Sequence, residues 1–141
     1  DQVKQLKDQA DFKGVLFDSE AKGHTVELMG TEEVDGTPAY KLRVTKANGD
    51  IVDLYLDKDY YVEFKSETTR EIQGNEMQIS TVMGDYKEIG GLMFPHSMEA
   101  SMGGGPAMQV ITIQDIELGV DFPEDYFAMP EVAAAEAETE G

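Results

Sequence analysis

Apolar and polar side chains alternate through most of the chain between Thr25 and Leu118. The alternation is clearest in three segments, which are Thr25-Val26-Glu27-Leu28, Tyr40-Lys41-Leu42-Arg43-Val44 and Val62-Glu63-Phe64-Lys65. Successive side chains of a β-strand point to opposite faces of the sheet, so this pattern predicts strands with one polar and one apolar face. We therefore expect nearly the whole chain to form one antiparallel sheet, with an apolar face that something must cover.

Turn residues divide this region into about seven strands in simple succession. Asp35-Gly36, Asn48-Gly49-Asp50, Gly74-Asn75 and Gly90-Gly91 mark reversals of the chain. The predicted strands cover residues 24–34, 39–46, 51–56, 60–72, 76–89, 92–102 and 107–118. The later strands are long, and long antiparallel strands twist and coil. The fold class that we expect is mainly β, a curved antiparallel meander sheet that forms an incomplete β-barrel.

Two terminal segments differ from this pattern. In the first ten residues Val3, Leu6 and Ala10 recur at helical spacing and Asp1 can cap the N-terminus, which predicts a short helix. Residues 131–141 are acidic and of low complexity, a composition typical of a disordered tail. The expected organisation is a single domain over residues 1–130, followed by an acidic disordered tail over residues 131–141.

Charge and composition narrow the classes of partner. The 141 residues include 29 acidic and 11 basic side chains, for a formal net charge of −18, and no cysteine. A negative charge of this size repels nucleic acid and anionic lipid headgroups, so we expect no nucleic-acid binding. No segment approaches the roughly 20 apolar residues that cross a bilayer, and no membrane span is expected. The absence of cysteine excludes disulfide and Cys-zinc scaffolds.

Reactive residue types do not converge in a pattern typical of catalysis or metal binding. His24 and His96 stand far apart in the sequence, and neither has further donors at the spacing of a zinc site. Asp57 and Asp59 flank a turn and lack the twelve-residue pattern of an EF-hand calcium loop. We therefore expect no enzymatic activity, no metal site and no cofactor.

Methionine is concentrated in one part of the predicted sheet, where six of the eight methionines fall between positions 77 and 108. Methionine is flexible and polarizable, and it recurs on surfaces that accept varied apolar partners. The residues that we predict to line an apolar ligand-binding face are Phe64, Met77, Ile79, Met98 and Val110. The same face would also suit an ordinary closed core, in which methionine fills gaps beneath a helix.

Six segments of the chain, taken in order, carry a family resemblance. They are Val34-Asp35-Gly36-Thr37-Pro38-Ala39-Tyr40-Lys41-Leu42, Asn48-Gly49-Asp50, Tyr55-Leu56-Asp57, Asp85-Tyr86-Lys87-Glu88-Ile89-Gly90-Gly91-Leu92-Met93-Phe94-Pro95, Ile111-Thr112-Ile113-Gln114-Asp115-Ile116-Glu117-Leu118 and Phe127-Ala128-Met129-Pro130. In this order and spacing they resemble bacterial outer-membrane lipoprotein-sorting-like proteins. The resemblance implies the lipoprotein carrier and receptor fold, an incomplete antiparallel barrel whose concave face is covered by helices. It also implies that the chain corresponds to the C-terminal portion of such proteins.

The function that this resemblance implies is that of a non-catalytic protein of the periplasm or cell envelope. Its partner would be an apolar ligand such as a lipoprotein acyl chain, bound on the concave face. A sheet edge that lacks its usual neighbour would favour a homodimer through sheet edges. The alternative is a structural or protein-interaction module with a closed core. A cavity on the concave face would favour ligand binding. If Phe12, Leu16 and Phe17 fill that space, the closed core is favoured.

Overall fold

The computed structural model describes Val3, Ala10 and residues 13–72 and 74–129. These residues form seven antiparallel strands in one sheet. The strands are β1 Thr25–Val34, β2 Thr37–Thr45, β3 Ile51–Asp57, β4 Glu63–Ile72, β5 Asn75–Ile89, β6 Leu92–Met102 and β7 Ala107–Thr112. Each strand pairs with the one that follows it, so the sheet is an open meander with β1 and β7 at its edges. The prediction of a mainly β, seven-stranded antiparallel meander is confirmed.

Two hairpin turns show why the chain reverses where it does. Asp35 and Gly36 join β1 to β2 with φ angles of 49° and 83°, both in the left-handed region that a type I′ turn requires. Gly90 and Gly91 join β5 to β6 with φ angles of 60° and 82°. A Cβ atom on Gly90 would lie 2.8 Å from Leu118 Cδ1, so the missing side chain also leaves room for the segment after β7.

The strand β4 begins at Glu63, three residues later than predicted, because the chain before it forms a turn. The Asp57 carboxylate oxygen Oδ1 accepts hydrogen bonds from the backbone N–H groups of Asp59 at 2.8 Å and Tyr60 at 2.9 Å. Tyr61 then has a φ angle of 57°, which no strand residue can adopt. An aspartate that binds backbone N–H groups ahead of it in this way is typical of a turn.

The strand β7 ends at Thr112, whereas the alternating pattern predicts a strand to residue 118. The backbone N–H of Ile113 still donates to the carbonyl of His96 at 2.8 Å, and the ladder goes no further. Alternation shows only that a segment could form an amphipathic strand. A strand also needs a neighbour in register, and residues 114–118 have none.

The two terminal predictions fall largely outside the described residues. The predicted helix covers residues 1–10, of which only Val3 and Ala10 are described, and the predicted tail over residues 131–141 is not described at all. The predicted helix is therefore not supported by the described residues, and the ranges 13–72 and 74–129 contain no helix. Consistent with this, no helix long and apolar enough to cross a membrane occurs in the described part of the chain.

Strand pairing divides the side chains into two faces, because directly paired residues of antiparallel strands share a face. We define the apolar face by Leu42, Val44, Val52, Leu54, Leu56, Ile79 and Met98. We define the charged face by Lys41, Arg43, Asp53, Tyr55, Lys65 and Glu67. Val44 and Leu54, at the centre of the apolar face, are 0% and 2% exposed.

Candidate functional site

The charged face is organised around the buried side chain of Tyr55. Its hydroxyl donates a hydrogen bond to Glu67 Oε2 at 2.9 Å. Lys41 Nζ and Lys65 Nζ lie 5.1 and 5.3 Å from the centre of its ring, within the range of a cation–π interaction. Lys65 Nζ also lies 2.8 Å from Glu67 Oε1. The charges around this ring therefore compensate one another.

A bidentate ion pair extends the charged face toward β2. Arg43 donates through Nε to Asp53 Oδ1 and through Nη2 to Asp53 Oδ2, both at 2.8 Å. The hydrogen bond from Arg43 holds the pKa of Asp53 below its usual value. Burial alone would raise the pKa of Glu67, but hydrogen bonds from Lys65 and Tyr55 lower it overall. Ion-pair networks within a sheet shift pKa values in this way.

Next to this network lies a cavity of about 410 Å³. Its lining comes from the strands β2 to β6 and the β3–β4 turn: Thr37, Asp57, Tyr60, Val62, Phe64, Met83, Tyr86 and Met93. The volume falls within the range of about 300–1,000 Å³ typical of small-molecule sites. Among the described residues that line it, most contribute aromatic, aliphatic or thioether groups, and Asp57 is the one charged side chain.

A β-bulge brings Phe64 to this cavity. Tyr55 pairs with Lys65 and Leu56 pairs with Glu63, which leaves Phe64 as the extra residue of β4. Its ring packs against the small buried cluster of Val34, Ala39 and Tyr55. Strict alternation would place Phe64 on the apolar face, and the bulge places it beside Tyr55 instead.

The same bulge places an acidic side chain on the apolar face. Glu63 pairs with Leu56, and burial raises the pKa of its carboxyl from 4.5 to about 7. No charged group among the described residues offsets this effect of burial. The Tyr86 hydroxyl donates to the backbone carbonyl of Glu63. Burial, with a smaller contribution from the Glu63 charge, raises the pKa of Tyr86 to about 12, so this hydroxyl remains a donor at neutral pH.

The structure separates the five predicted ligand-binding residues, Phe64, Met77, Ile79, Met98 and Val110. Met77, Ile79 and Met98 share the apolar face, and of the five only Phe64 lines the cavity. Val110 pairs with Glu99 on the opposite face from Met98, because a second bulge shifts the register between β6 and β7. The expectation that all five share one face is therefore wrong, and two bulges are the reason.

The main cavity residues that the sequence analysis missed are the tyrosines, Tyr60 and Tyr86, and the turn carboxylate Asp57. The sequence predicts Asp57 only as a turn residue. Asp57 does form the turn, and it also lines the cavity. Adjacent tyrosines at positions 60 and 61 interrupt the alternating pattern. That interruption is the one sequence signal that could have drawn attention to this region.

Of the three residues that would fill the space in a closed core, the structure describes Leu16 and Phe17. Phe17 is exposed, with Lys13 Nζ 4.9 Å from the centre of its ring, and Leu16 is half-buried. Phe12 lies outside the described residues. Phe17 therefore does not act as a buried plug.

Both histidines have structural contacts. His24 Nδ1 accepts a hydrogen bond from the backbone N–H of Ala47 at 3.2 Å. His96 is buried, with Nδ1 3.0 Å from the carbonyl oxygen of Phe94. Across the described residues, no group of three or more His, Cys, Asp or Glu side chains could hold a metal ion.

Comparison with known proteins gives no family for this chain. No protein-family model matches it, and the searches of curated proteins and of solved structures find no match either. The resemblance to lipoprotein-sorting-like proteins therefore stays a prediction.

Proposed function

We propose that this chain is a non-catalytic binding module that takes an apolar small ligand into the cavity between β2 and β6. One observation carries this proposal: a cavity of about 410 Å³ whose walls are mainly apolar. Burial of alkyl groups there would contribute about 0.8 kcal/mol per methylene. A lipoprotein acyl chain, the ligand that the family resemblance implies, belongs to this class, and the periplasm or cell envelope is the compartment that would supply it.

The lining residues support binding rather than catalysis. Nucleophilic catalysis needs a nucleophile and a base within hydrogen-bond reach. The walls contain no histidine, lysine or cysteine, and the Tyr86 hydroxyl is engaged with the Glu63 carbonyl. What remains is a set of apolar surfaces with a few polar groups at fixed positions, which is the usual composition of a ligand pocket.

The first experiment measures whether an apolar molecule enters the cavity. The neutral dye N-phenyl-1-naphthylamine brightens in apolar surroundings, and we expect the protein to enhance its fluorescence saturably. Met93 is an exposed member of the cavity lining, so Met93→Trp should fill the space and abolish the enhancement. The matched control is Met108→Trp, an exposed methionine outside the cavity, which should leave dye binding intact.

Two results would contradict the proposal. One is the absence of saturable dye binding by the unmodified protein. The other is equal binding by the two tryptophan variants, since the dye would then bind elsewhere. Native mass spectrometry after mild extraction would identify a natural ligand, and a lipid lost in Met93→Trp but kept in Met108→Trp would belong to the cavity.

A second candidate function is protein interaction through a sheet edge, and the strand β7 favours it. All six residues of β7 are exposed, with Met108 at 70% and Val110 at 61%. Residues 107–112 carry no charge, whereas the other edge strand, β1, contains Glu27, Glu32 and Glu33. An exposed, uncharged edge strand is a template for pairing. In a chain of net charge −18, it is also where two copies would meet with the least repulsion.

Light scattering coupled to size-exclusion chromatography tests this second function. A dimer should form as concentration rises, and Val110→Lys should return the protein to a monomer because like charges would then face each other across the new pairing. The control is Leu28→Lys, which adds the same charge at an exposed position of β1 and should leave the dimer intact. A monomer at every soluble concentration would contradict pairing through β7.

A further inference from the structure

We infer that the cavity selects ligands in which a methylated ammonium group adjoins the apolar part. This inference rests on the proposed function, because it names the ligand class of the same cavity. The lining combines three aromatic side chains, Tyr60, Phe64 and Tyr86, with one carboxylate, Asp57. Aromatic rings attract a cation through the negative charge of their faces, and aromatic cages bind quaternary ammonium groups in this way.

The Asp57 carboxylate is held in place by the turn that it forms. Its Oδ1 accepts hydrogen bonds from the backbone N–H groups of Asp59 and Tyr60, at 2.8 and 2.9 Å. Asp57 also lines the cavity. The cavity wall therefore includes a carboxylate whose position is fixed by its own turn.

The two lysines near Asp57 in the sequence are directed elsewhere. Lys58 Nζ lies 5.4 Å from the centre of the Tyr40 ring. Lys65 Nζ contacts Glu67 and the face of Tyr55, within the charged face. Neither side chain lines the cavity. Neither lysine therefore neutralises the Asp57 carboxylate within the cavity.

Other ligand classes fit these walls less well. A fatty carboxylate would bring a second negative charge beside Asp57. A plain alkyl chain would remove water from the carboxylate and give it no partner. A primary ammonium group is compact and strongly hydrated, and it would lose that water against apolar walls. A methylated ammonium group keeps the positive charge and presents methyl groups to Phe64, Met83 and Met93.

Competition for the dye-binding site tests this preference with three ligands that share one alkyl chain. They are hexyltrimethylammonium, hexan-1-ol and hexanoate, compared at equal ionic strength. We expect hexyltrimethylammonium to displace N-phenyl-1-naphthylamine at concentrations about tenfold lower than hexan-1-ol, and hexanoate to be the weakest competitor.

Two aspartate variants separate a specific site from the general attraction of an acidic protein for cations. Asp57→Asn removes the charge but keeps a side-chain oxygen for the two backbone hydrogen bonds, so the turn should survive. It should weaken competition by hexyltrimethylammonium about tenfold. It should strengthen competition by hexan-1-ol, because an uncharged amide loses its water at a smaller cost than a carboxylate. Asp59→Asn removes the same charge at an exposed position outside the cavity. It should leave competition by both hexyltrimethylammonium and hexan-1-ol as it is in the unmodified protein.

A tyrosine pair tests the aromatic contribution at the same site. Tyr60→Phe keeps the ring and should keep the ammonium preference, whereas Tyr60→Leu should reduce it. Equal weakening by Asp57→Asn and Asp59→Asn would overturn the inference, and so would equal competition by the three ligands while dye binding persists. If the three ligands compete equally while the dye still binds, the cavity still binds apolar molecules, and the proposed function stands. Absence of dye binding would overturn the proposed function itself.

Discussion

The centre of the sheet and its last strand follow the same alternating pattern but differ in burial. Val44 in β2 and Leu54 in β3 are almost completely buried, whereas Met108 and Val110 in β7 are mostly exposed. The side chains are similar in size and hydrophobicity. One difference is the number of neighbouring strands, because β3 is paired on both sides and β7 on one side only. The comparison shows that the alternating pattern alone does not determine how deeply an apolar residue is buried.

Two acidic side chains of the sheet also differ, because one is paired with a cation and the other is not. Asp53, on the charged face, is paired with Arg43, and this pairing lowers its pKa. Glu63, on the apolar face, is half-buried without a compensating charge among the described residues, and the loss of contact with water raises its pKa. Two carboxylates of one sheet are therefore shifted in opposite directions, and the presence of a cation makes the difference.

The largest expected effect comes from truncating one apolar residue in each region. Leu54→Ala should reduce the free energy of unfolding by about 2–5 kcal/mol, because it leaves a cavity at the most buried part of the apolar face. Val110→Ala should change it by no more than about 0.5 kcal/mol, since that side chain already contacts water. Urea denaturation monitored by circular dichroism measures both. If the two variants lose similar amounts of unfolding free energy, the side chains of β7 are covered in solution.

A smaller effect is expected from Glu63, and it depends on pH. The folded state keeps the Glu63 proton up to about pH 7, whereas the unfolded chain loses it near 4.5. Stability should therefore fall as pH rises between these values, by up to about 3 kcal/mol from this group. Glu63→Gln should remove that decline, so the variant should gain stability over the wild type toward neutral pH.

Denaturation midpoints at several pH values check this prediction, and Asp53→Asn is the matched control. The pKa of Asp53 is lowered, so its contribution is present above its ordinary value of 3.8 and is lost as the pH falls below it. Asp53→Asn should therefore leave the decline toward neutral pH in place. If Glu63→Gln also leaves it unchanged, the carboxyl is solvated and ionised in the folded protein.

Much of the fold could be predicted because its signals are local. The Asp35-Gly36 and Gly90-Gly91 turns require left-handed backbone conformations that few other residue pairs adopt, so the sequence itself marks the reversals. Alternation between such turns then defines the strands, and short connections make consecutive strands neighbours. Strand order and direction follow from these two signals together.

The candidate site could not be predicted because it depends on departures from alternation. The alternating pattern assigns Phe64 and Val110 to the apolar face only if every residue is paired in a regular ladder. One bulge in each pair of strands, β3–β4 and β6–β7, reverses the face of each residue. Nothing in the residues around Phe64 marks the bulge, since it arises where the β3–β4 turn sets the register. The ring that the pattern assigned to the apolar face packs against Tyr55 and lines the cavity.

The smallest expected effect concerns a single hydroxyl in the central region. Tyr55→Phe keeps the ring between Lys41 and Lys65 and removes the hydrogen bond to Glu67, which should cost about 0.5–1.5 kcal/mol of unfolding free energy. Tyr60 is 78% exposed, so Tyr60→Phe should be close to neutral. Chemical denaturation of the two variants at neutral pH compares them directly. If Tyr55→Phe is neutral, Lys65 is sufficient to hold Glu67. The centre of the charged face is then stabilised by its ion pairs rather than by the Tyr55 hydroxyl.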